Sequence, residues 1–253
     1  MEFYSSIADV YDNIFQGTDD QIEFLNPHLY PGPRTIADLG CATGKLANAL
    51  AAEGNQVLGM DLDPTMIQKA TQEAREQGLS TRFVVGRLEA LSLFLKPDTQ
   101  DLITCFGNTL VHLLSPESIK EVLLEIRSFL VPGGWFLGQI INYDRILDQS
   151  ISGLPAIDND KVHFVRKYQL QPPGTGVNSS SAGQSVLIQF EMELTIKPSG
   201  PVIKNSIPLL PLRKADLESF FQHAQFRYWE IFADSERHAW RPDSYALYFA
   251  VRK

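Results

Sequence analysis

The chain has 253 residues, 44% of them hydrophobic and 21% charged, enough to bury a substantial core in one large domain or in one domain carrying an insertion. Its 22 Lys and Arg against 30 Asp and Glu give a formal charge of −8, which argues against broad nucleic-acid or anionic-membrane binding, because both rely on clustered cations. Two cysteines, Cys41 and Cys105, each inside an apolar stretch, are too few for a disulfide framework or a zinc cluster and read as reduced core thiols.

The opening MEFYSSIADVYDNIF lacks a basic leader, and no window reaches the ~18 apolar residues of a membrane span. A cytoplasmic protein with neither membrane nor nucleic-acid partners is expected. From about residue 35 to 142 strand-like and helix-like segments alternate, the pattern of a parallel sheet covered on both faces. TIADLG (35–40) reads as a buried strand, GKLANALAAEG (44–54) as a helix closed by Gly54, and QVLGMDLD (56–63) as the next strand. PTMIQKATQEAREQG (64–78) follows as a helix, with Pro64 in its first turn and Gly78 at its end. TRFVVGRL (81–88) and DLITCFG (101–107) are strands, SPESIKEVLLEIRSFL (115–130) a serine-capped helix, and GWFLGQIIN (134–142) a fifth strand.

The pattern then changes. Residues 143–184 are rich in Pro, Gly, Ser and Asn, notably QPPGTGVNSSSAGQS (171–185), and read as loop or mobile linker. KVHFVRKYQL (161–170) and SVLIQFEMELTIK (185–197) alternate as an antiparallel pair. KADLESFFQHA (214–224) restores a helix, and FRYWEIFAD (226–234) with SYALYFAVRK (244–253) closes the chain as two strands. A small antiparallel insertion over 145–212 is therefore expected, splitting a main domain of 1–144 and 213–253.

At the end of a buried first strand, small residues let the backbone approach a ligand while the next helix offers free N–H groups. The dinucleotide fingerprint G-x-G-x-x-G fails here, because Ala42 and Lys45 stand where glycines belong. The phosphate loop fails as well: three residues separate Gly40 from Gly44, and Leu46 follows Lys45 where Ser or Thr should bind magnesium. What remains is DLGCATG with Asp61 closing the second strand, where a carboxylate accepts from both hydroxyls of an adenosine ribose.

With these residues the sequence resembles the class I S-adenosylmethionine-dependent methyltransferases, whose first motif reads acidic-x-Gly-x-Gly/Ala-x-Gly. The resemblance covers nearly the whole chain. It implies an α/β, Rossmann-like doubly wound sheet of seven strands, mostly parallel with the last antiparallel, and S-adenosyl-L-methionine as cofactor. Carried over by position, Asp38, Gly40, Cys41 and Ala42 border the methionine part, Asp61 holds the ribose, and Met66 packs on the adenine. In VVGRLEAL (84–91) the family often has Asp after the glycine; here Arg87 stands, a departure that stays in the implied cofactor set, and the neighbouring Leu88 meets the ring by its backbone N–H and side chain. Leu62, Glu89 and Phe106 complete the cofactor set, and Tyr4 and Tyr11 resemble lid residues, Tyr11 over the cofactor and Tyr4 towards the acceptor.

TCFGNTLVHLL (104–114) resembles the L-G-N-S-x-x-H-L segment of glycine N-methyltransferase and related small-molecule N-methyltransferases. QIINYDRIL (139–147) looks like their Asn-Tyr-Asp-x-Ile-Leu, and WRPDSYALYFAVRK (240–253) like their ending. The resemblance implies a small-molecule acceptor, with Asn108, His112 and Tyr143 as catalytic candidates and Tyr4, Asn108, Ile141, Asn142 and Tyr143 at the acceptor. Asn108 orients the nucleophile or ties down its loop; His112 accepts a proton or is a structural histidine. The glycine-specific members have Arg before Asn-Tyr-Asp, suited to a carboxylate. Ile141 removes that grip, so an amine other than free glycine is expected, with O- or C-methylation or a silent cofactor-binding domain as alternatives. Phe164, Arg166 and Tyr168 alternate on one strand as a substrate cover or an oligomer contact such as a homodimer interface. His28, His163, His223 and His238 have no metal-ligand spacing.

Overall fold

The computed structural model describes residues 2–170 and 186–253. Three helices open the chain, α1 (Glu2–Ser5), α2 (Tyr11–Ile14) and α3 (Thr18–Leu29), followed by β1 (Thr35–Leu39), α4 (Lys45–Ala52), β2 (Gln56–Asp61), α5 (Pro64–Glu76) and β3 (Arg82–Val85). Next come β4 (Gln100–Cys105), α6 (Pro116–Phe129), β5 (Leu130–Ile141) and α7 (Tyr143–Asp148). Four further strands, β6 (Gly153–Asp158), β7 (Val162–Leu170), β8 (Ile188–Ile196) and β9 (Val202–Leu209), precede α8 (Lys214–His223), β10 (Tyr228–Phe232) and β11 (Ala246–Arg252).

Seven strands form one sheet in the order β10-β11-β5-β4-β1-β2-β3. β1 pairs in parallel with both β2 and β4, and β11 is antiparallel to both β5 and β10. β1, paired on both sides at the middle of the parallel strands, is apolar: Ile36, Ala37 and Leu39 are buried because helices cover both faces. The chain leaves β1 on one side and β4 on the other, so a crevice opens at their carboxyl ends, the switch point where open α/β sheets bind ligands. Helix starts follow their side chains. Asp63 caps α5 by accepting from the Thr65 and Met66 amides at 2.8 and 3.3 Å, and Ser115 caps α6 through the Ser118 amide.

β6, β7, β8 and β9 form a second, wholly antiparallel sheet in that order. Alternation marks only the inner pair, β7 and β8. GLPAID and VIKNSIPL carry Pro and polar residues suited to edge strands; within 143–184, whose composition reads as loop or linker, the chain forms α7 and β6. Residues 171–185 lie outside the described residues. Phe164, Phe190, Met192 and Leu194 on one face of this sheet are buried in the same apolar core as Phe136, Tyr143 and Leu247 of the main body. The N-terminal helices bridge the two, with Phe3 on Phe190 and Phe15 on Phe164 at ring separations of 5.7 and 5.9 Å. Cys41 and Cys105 are buried and unpaired. Among the described residues no helix is long and apolar enough to cross a membrane.

Candidate active site

The turn after β1 is built by backbone conformations that only small residues take easily. Gly40 (φ 73°) and Gly44 (φ 78°) are left-handed, and so is Ala42 (φ 48°). The Gly40 and Cys41 amides both donate to the Met60 carbonyl, at 2.7 and 3.0 Å. A Cβ on Gly40 would stand 2.4 Å from Thr109 Oγ1, so no larger residue fits there. Asp61 braces the turn: Oδ2 accepts from the Ala42 amide and Oδ1 from the Asp63 amide, each at 2.9 Å. Enclosure pushes its pKa up, and these amides pull against that. Asp38, buried at the end of β1, accepts from Thr104 Oγ1 at 2.7 Å. Burial pushes its pKa up to about 6 against that hydrogen bond, and the charge of Asp61 adds to the rise.

Two adjoining cavities open along this edge, of about 430 and 310 Å³. Tyr4, Tyr11, Gly40, Ala42 and Thr109 border both. Asp61, Leu62, Met66, Arg87, Leu88, Glu89 and His112 line the smaller. Asp38, Cys41, Phe106, Asn108 and Ile141 line the larger, whose far wall is Phe164, Arg166, Tyr168 and Phe190 of the second sheet. The N-terminal helices close over the edge through polar ties: Ser5 donates to Asp63, and Thr43 Oγ1 to Asp12 Oδ1 at 2.5 Å.

Asn142, expected at the acceptor, borders neither cavity. It is fully buried, and its amide donates to the carbonyls of Arg241, Pro242 and Ser244 at 3.3, 3.1 and 2.9 Å, so it ties β5 to the loop before β11. Tyr143 is also fully buried and borders neither cavity; it sits behind Asn108, whose Nδ2 donates to its hydroxyl at 3.0 Å. Asn108 Oδ1 in turn accepts the Ile141 amide at 3.0 Å. The orienting and loop-tying roles of Asn108 thus coexist in one side chain, held in a left-handed backbone (φ 68°) at the cavity wall. His112 is 3.1 Å from the Tyr4 hydroxyl, and burial pushes its pKa down to about 4. It is neutral at neutral pH.

Phe190, Gln139 and Tyr245 at the larger cavity escaped the sequence reading. Phe190 had a signal: it faces Tyr168 across β7 and β8 and so shares its side of the sheet. Tyr245 had none, because it reaches the cavity from the far end of the chain. Among the described residues no group of His, Cys, Asp and Glu is placed to hold a metal ion.

Residues 36–134 match the family described as a methyltransferase domain. A solved S-adenosylmethionine-dependent methyltransferase from Clostridium acetobutylicum superposes with a TM-score of 0.78 over 98% of each chain, at 19% identity. The Rossmann-like methyltransferase fold is shown. CalS10 of Micromonospora echinaspora, an amino pentose methyltransferase solved with S-adenosylmethionine, superposes with a TM-score of 0.65 at 16% identity, over 94% of this chain and 91% of its own. A ubiquinone biosynthesis O-methyltransferase of Paraburkholderia xenovorans is 29% identical over 122 residues, 48% of this chain and 50% of that protein. The chain thus spans about half the length of the curated relatives it matches.

The residues of this methyltransferase fold suit S-adenosylmethionine. The smaller cavity pairs one carboxylate, Asp61, with the apolar Met66 and Leu88, the needs of a ribose and a flat base. Asp38 supplies a buried negative charge where the larger cavity begins, suited to an ammonium. Beside the turn Lys45 is engaged by Glu73 at 2.7 Å.

Proposed function

We propose that the protein is an S-adenosylmethionine-dependent methyltransferase acting on an amine nitrogen of a small molecule other than free glycine. The observation that carries this is the pair of carboxylates, Asp38 and Asp61, closing adjacent strands beside one continuous pair of cavities. S-adenosylmethionine, when bound, supplies a methyl group on a sulfonium sulfur, already activated for in-line displacement.

The chain's own contribution is alignment and exclusion of water. Asp61, fixed by two amides, orients the nucleoside; Asp38 holds the ammonium end; Tyr4 and Tyr11, on helices tied down by Ser5 and Thr43, cover both. Fixing two reactants in line supplies several kcal/mol, roughly 7–11 in the best intramolecular cases. Asn108, locked by Tyr143 and Ile141, keeps its remaining donor capacity at the acceptor's edge.

The protonation states favour nitrogen over a phenolic oxygen. His112, with its pKa near 4 and Tyr4 on its Nε2, is too weak a base for a phenol, and burial pushes the Tyr4 and Tyr143 hydroxyls up, which keeps them protonated. A neutral amine brings its own lone pair. Ile141 at the cavity wall lacks the charge to grip glycine's carboxylate from that position. The place of Phe164, Arg166 and Tyr168 along the larger cavity favours an acceptor cover over a homodimer contact.

Calorimetric titration with S-adenosylmethionine and NAD, followed by transfer of labelled methyl to amines, phenols and amino acids, tests the reading. Binding of the first cofactor alone, with label entering amines, is expected. Binding without transfer to any acceptor would mark a silent binder, and label entering phenols would move the chemistry to oxygen, the atom in the name of the Paraburkholderia relative.

A further inference from the structure

Among the described residues three Lys and Arg side chains line the two cavities, and two of them are paired with acids. Lys45 pairs with Glu73 at 2.7 Å and Arg87 with Glu89 at 3.1 Å. Arg166 has no carboxylate at ion-pair distance among the described residues. Its Nη2 donates to the Pro155 carbonyl at 2.7 Å, which fixes the guanidinium against β6, while Nε is shielded from solvent with no hydrogen-bond partner. Arg166 therefore lines the larger cavity as a cation with no acidic partner among the described residues.

The surroundings define that ligand further. Arg166 stands between Phe164 and Tyr168 in the period-two register of β7, and its guanidinium lies 5.7 Å from the Phe164 ring centroid. Across the ladder, Phe190 faces Tyr168. A cation set in an aromatic wall suits a planar anion on an apolar body, because the guanidinium fork donates two parallel hydrogen bonds to a carboxylate while the rings cover what it is attached to. Three carboxylates line the same cavity, Asp12, Asp20 and Asp38; Asp12 accepts from Thr43 and Asp38 from Thr104, and none is at ion-pair distance from Arg166 among the described residues.

Resting on the methyltransferase reading, we propose that Arg166 binds a carboxylate of the methyl acceptor, which is then a small amine carrying both an acid group and an apolar body. The grip absent at Ile141 comes instead from the second sheet, on the far wall of a larger cavity, and selects an acid bulkier than glycine.

The test separates this proposal from the reading beneath it. S-adenosylmethionine affinity is first measured by calorimetry in the wild type, Arg166→Gln and Arg166→Lys, each checked for an unchanged circular dichroism spectrum. It is expected to agree within about twofold, and no binding by the wild type would remove the methyltransferase reading and the proposal together. With S-adenosylhomocysteine saturating, acid and amide pairs are then titrated: phenylacetate with phenylacetamide, phenylalanine with phenylalaninamide, leucine with leucinamide. At least one acid is expected to bind about tenfold or more tightly than its amide, with the preference lost in Arg166→Gln and partly restored in Arg166→Lys. Cofactor binding with no acid preferred over its amide, or a preference that survives Arg166→Gln, would overturn the proposal alone. A tenfold loss of cofactor affinity in Arg166→Gln would overturn it too, by giving the guanidinium to the cofactor's own carboxylate.

Discussion

The two cavities share a border but are made differently. The smaller is shaped by backbone: left-handed Gly40 and Ala42, amides turned onto Asp61, and a helix start capped by Asp63. The larger is shaped by side chains from distant elements, with Phe15 after α2, Asn108 after β4, Phe164 and Phe190 from the second sheet, and Tyr245 before β11. Backbone turns tolerate few residues and so enforce one ligand geometry. An aromatic wall tolerates exchange of one apolar group for another, and there specificity rests on the few polar groups set into it.

The largest effect should come from breaking the backbone-built end. Asp61→Ala removes the acceptor for the Ala42 and Asp63 amides as well as the charge facing the ribose position. Losing hydrogen bonds to a charged group costs about 1.5–3 kcal/mol, so calorimetry should show S-adenosylmethionine affinity falling roughly 10- to 150-fold. Unchanged affinity would show that Asp61 braces the turn without meeting the nucleoside.

The same contrast explains what could be read from sequence. DLGCATG and the Asp61 that follows lie within one strand-helix-strand unit, so spacing put the turn and the carboxylate side by side, while their ligand came from the family resemblance. A motif gives the order of residues and not their direction: one residue after Ile141, which lines the larger cavity, the Asn142 side chain is instead spent on the carbonyls of Arg241, Pro242 and Ser244. The edge strands β6 and β9 lacked alternation because one side of an edge strand is unpaired and admits Pro and polar residues. Phe190 and Tyr245 needed tertiary contacts that no local pattern encodes.

A middle-sized effect lies in pH. Asp38 must be ionised to hold an ammonium, and its pKa in the free protein is pushed up to about 6 by burial. S-adenosylmethionine affinity should therefore fall as pH drops below about 6, by up to tenfold per pH unit for one proton, with Asp61 shifted in the same direction and able to steepen the fall. The stability of the ligand-free protein follows a different rule. Because the folded pKa of Asp38 lies above its ordinary value of 3.8, its contribution weakens as pH rises from about 4 to 6. His112, lowered from 6.5 to about 4, has the opposite sign and contributes increasing stability over that range. Melting temperature should thus change less between pH 4.5 and 6.5 than cofactor affinity does; parallel curves would assign the titration to folding instead of to the site.

The smallest expected effect falls on the side-chain-built end. Tyr143→Phe keeps the buried ring and removes only the hydroxyl that Asn108 Nδ2 donates to at 3.0 Å. A neutral hydrogen bond contributes about 0.5–1.5 kcal/mol, roughly two- to twelvefold in a rate. Asn108 still accepts the Ile141 amide, so its loop stays in place while the amide plane gains freedom to rock. If Asn108 orients the acceptor, kcat should fall by that factor with the KM for S-adenosylmethionine unchanged, because the loosened group meets the acceptor and not the nucleoside. A loss confined to melting temperature, with kcat intact, would leave the Asn108–Tyr143 pair as a fastening between the β4 loop and α7 and shift acceptor orientation to the aromatic wall opposite.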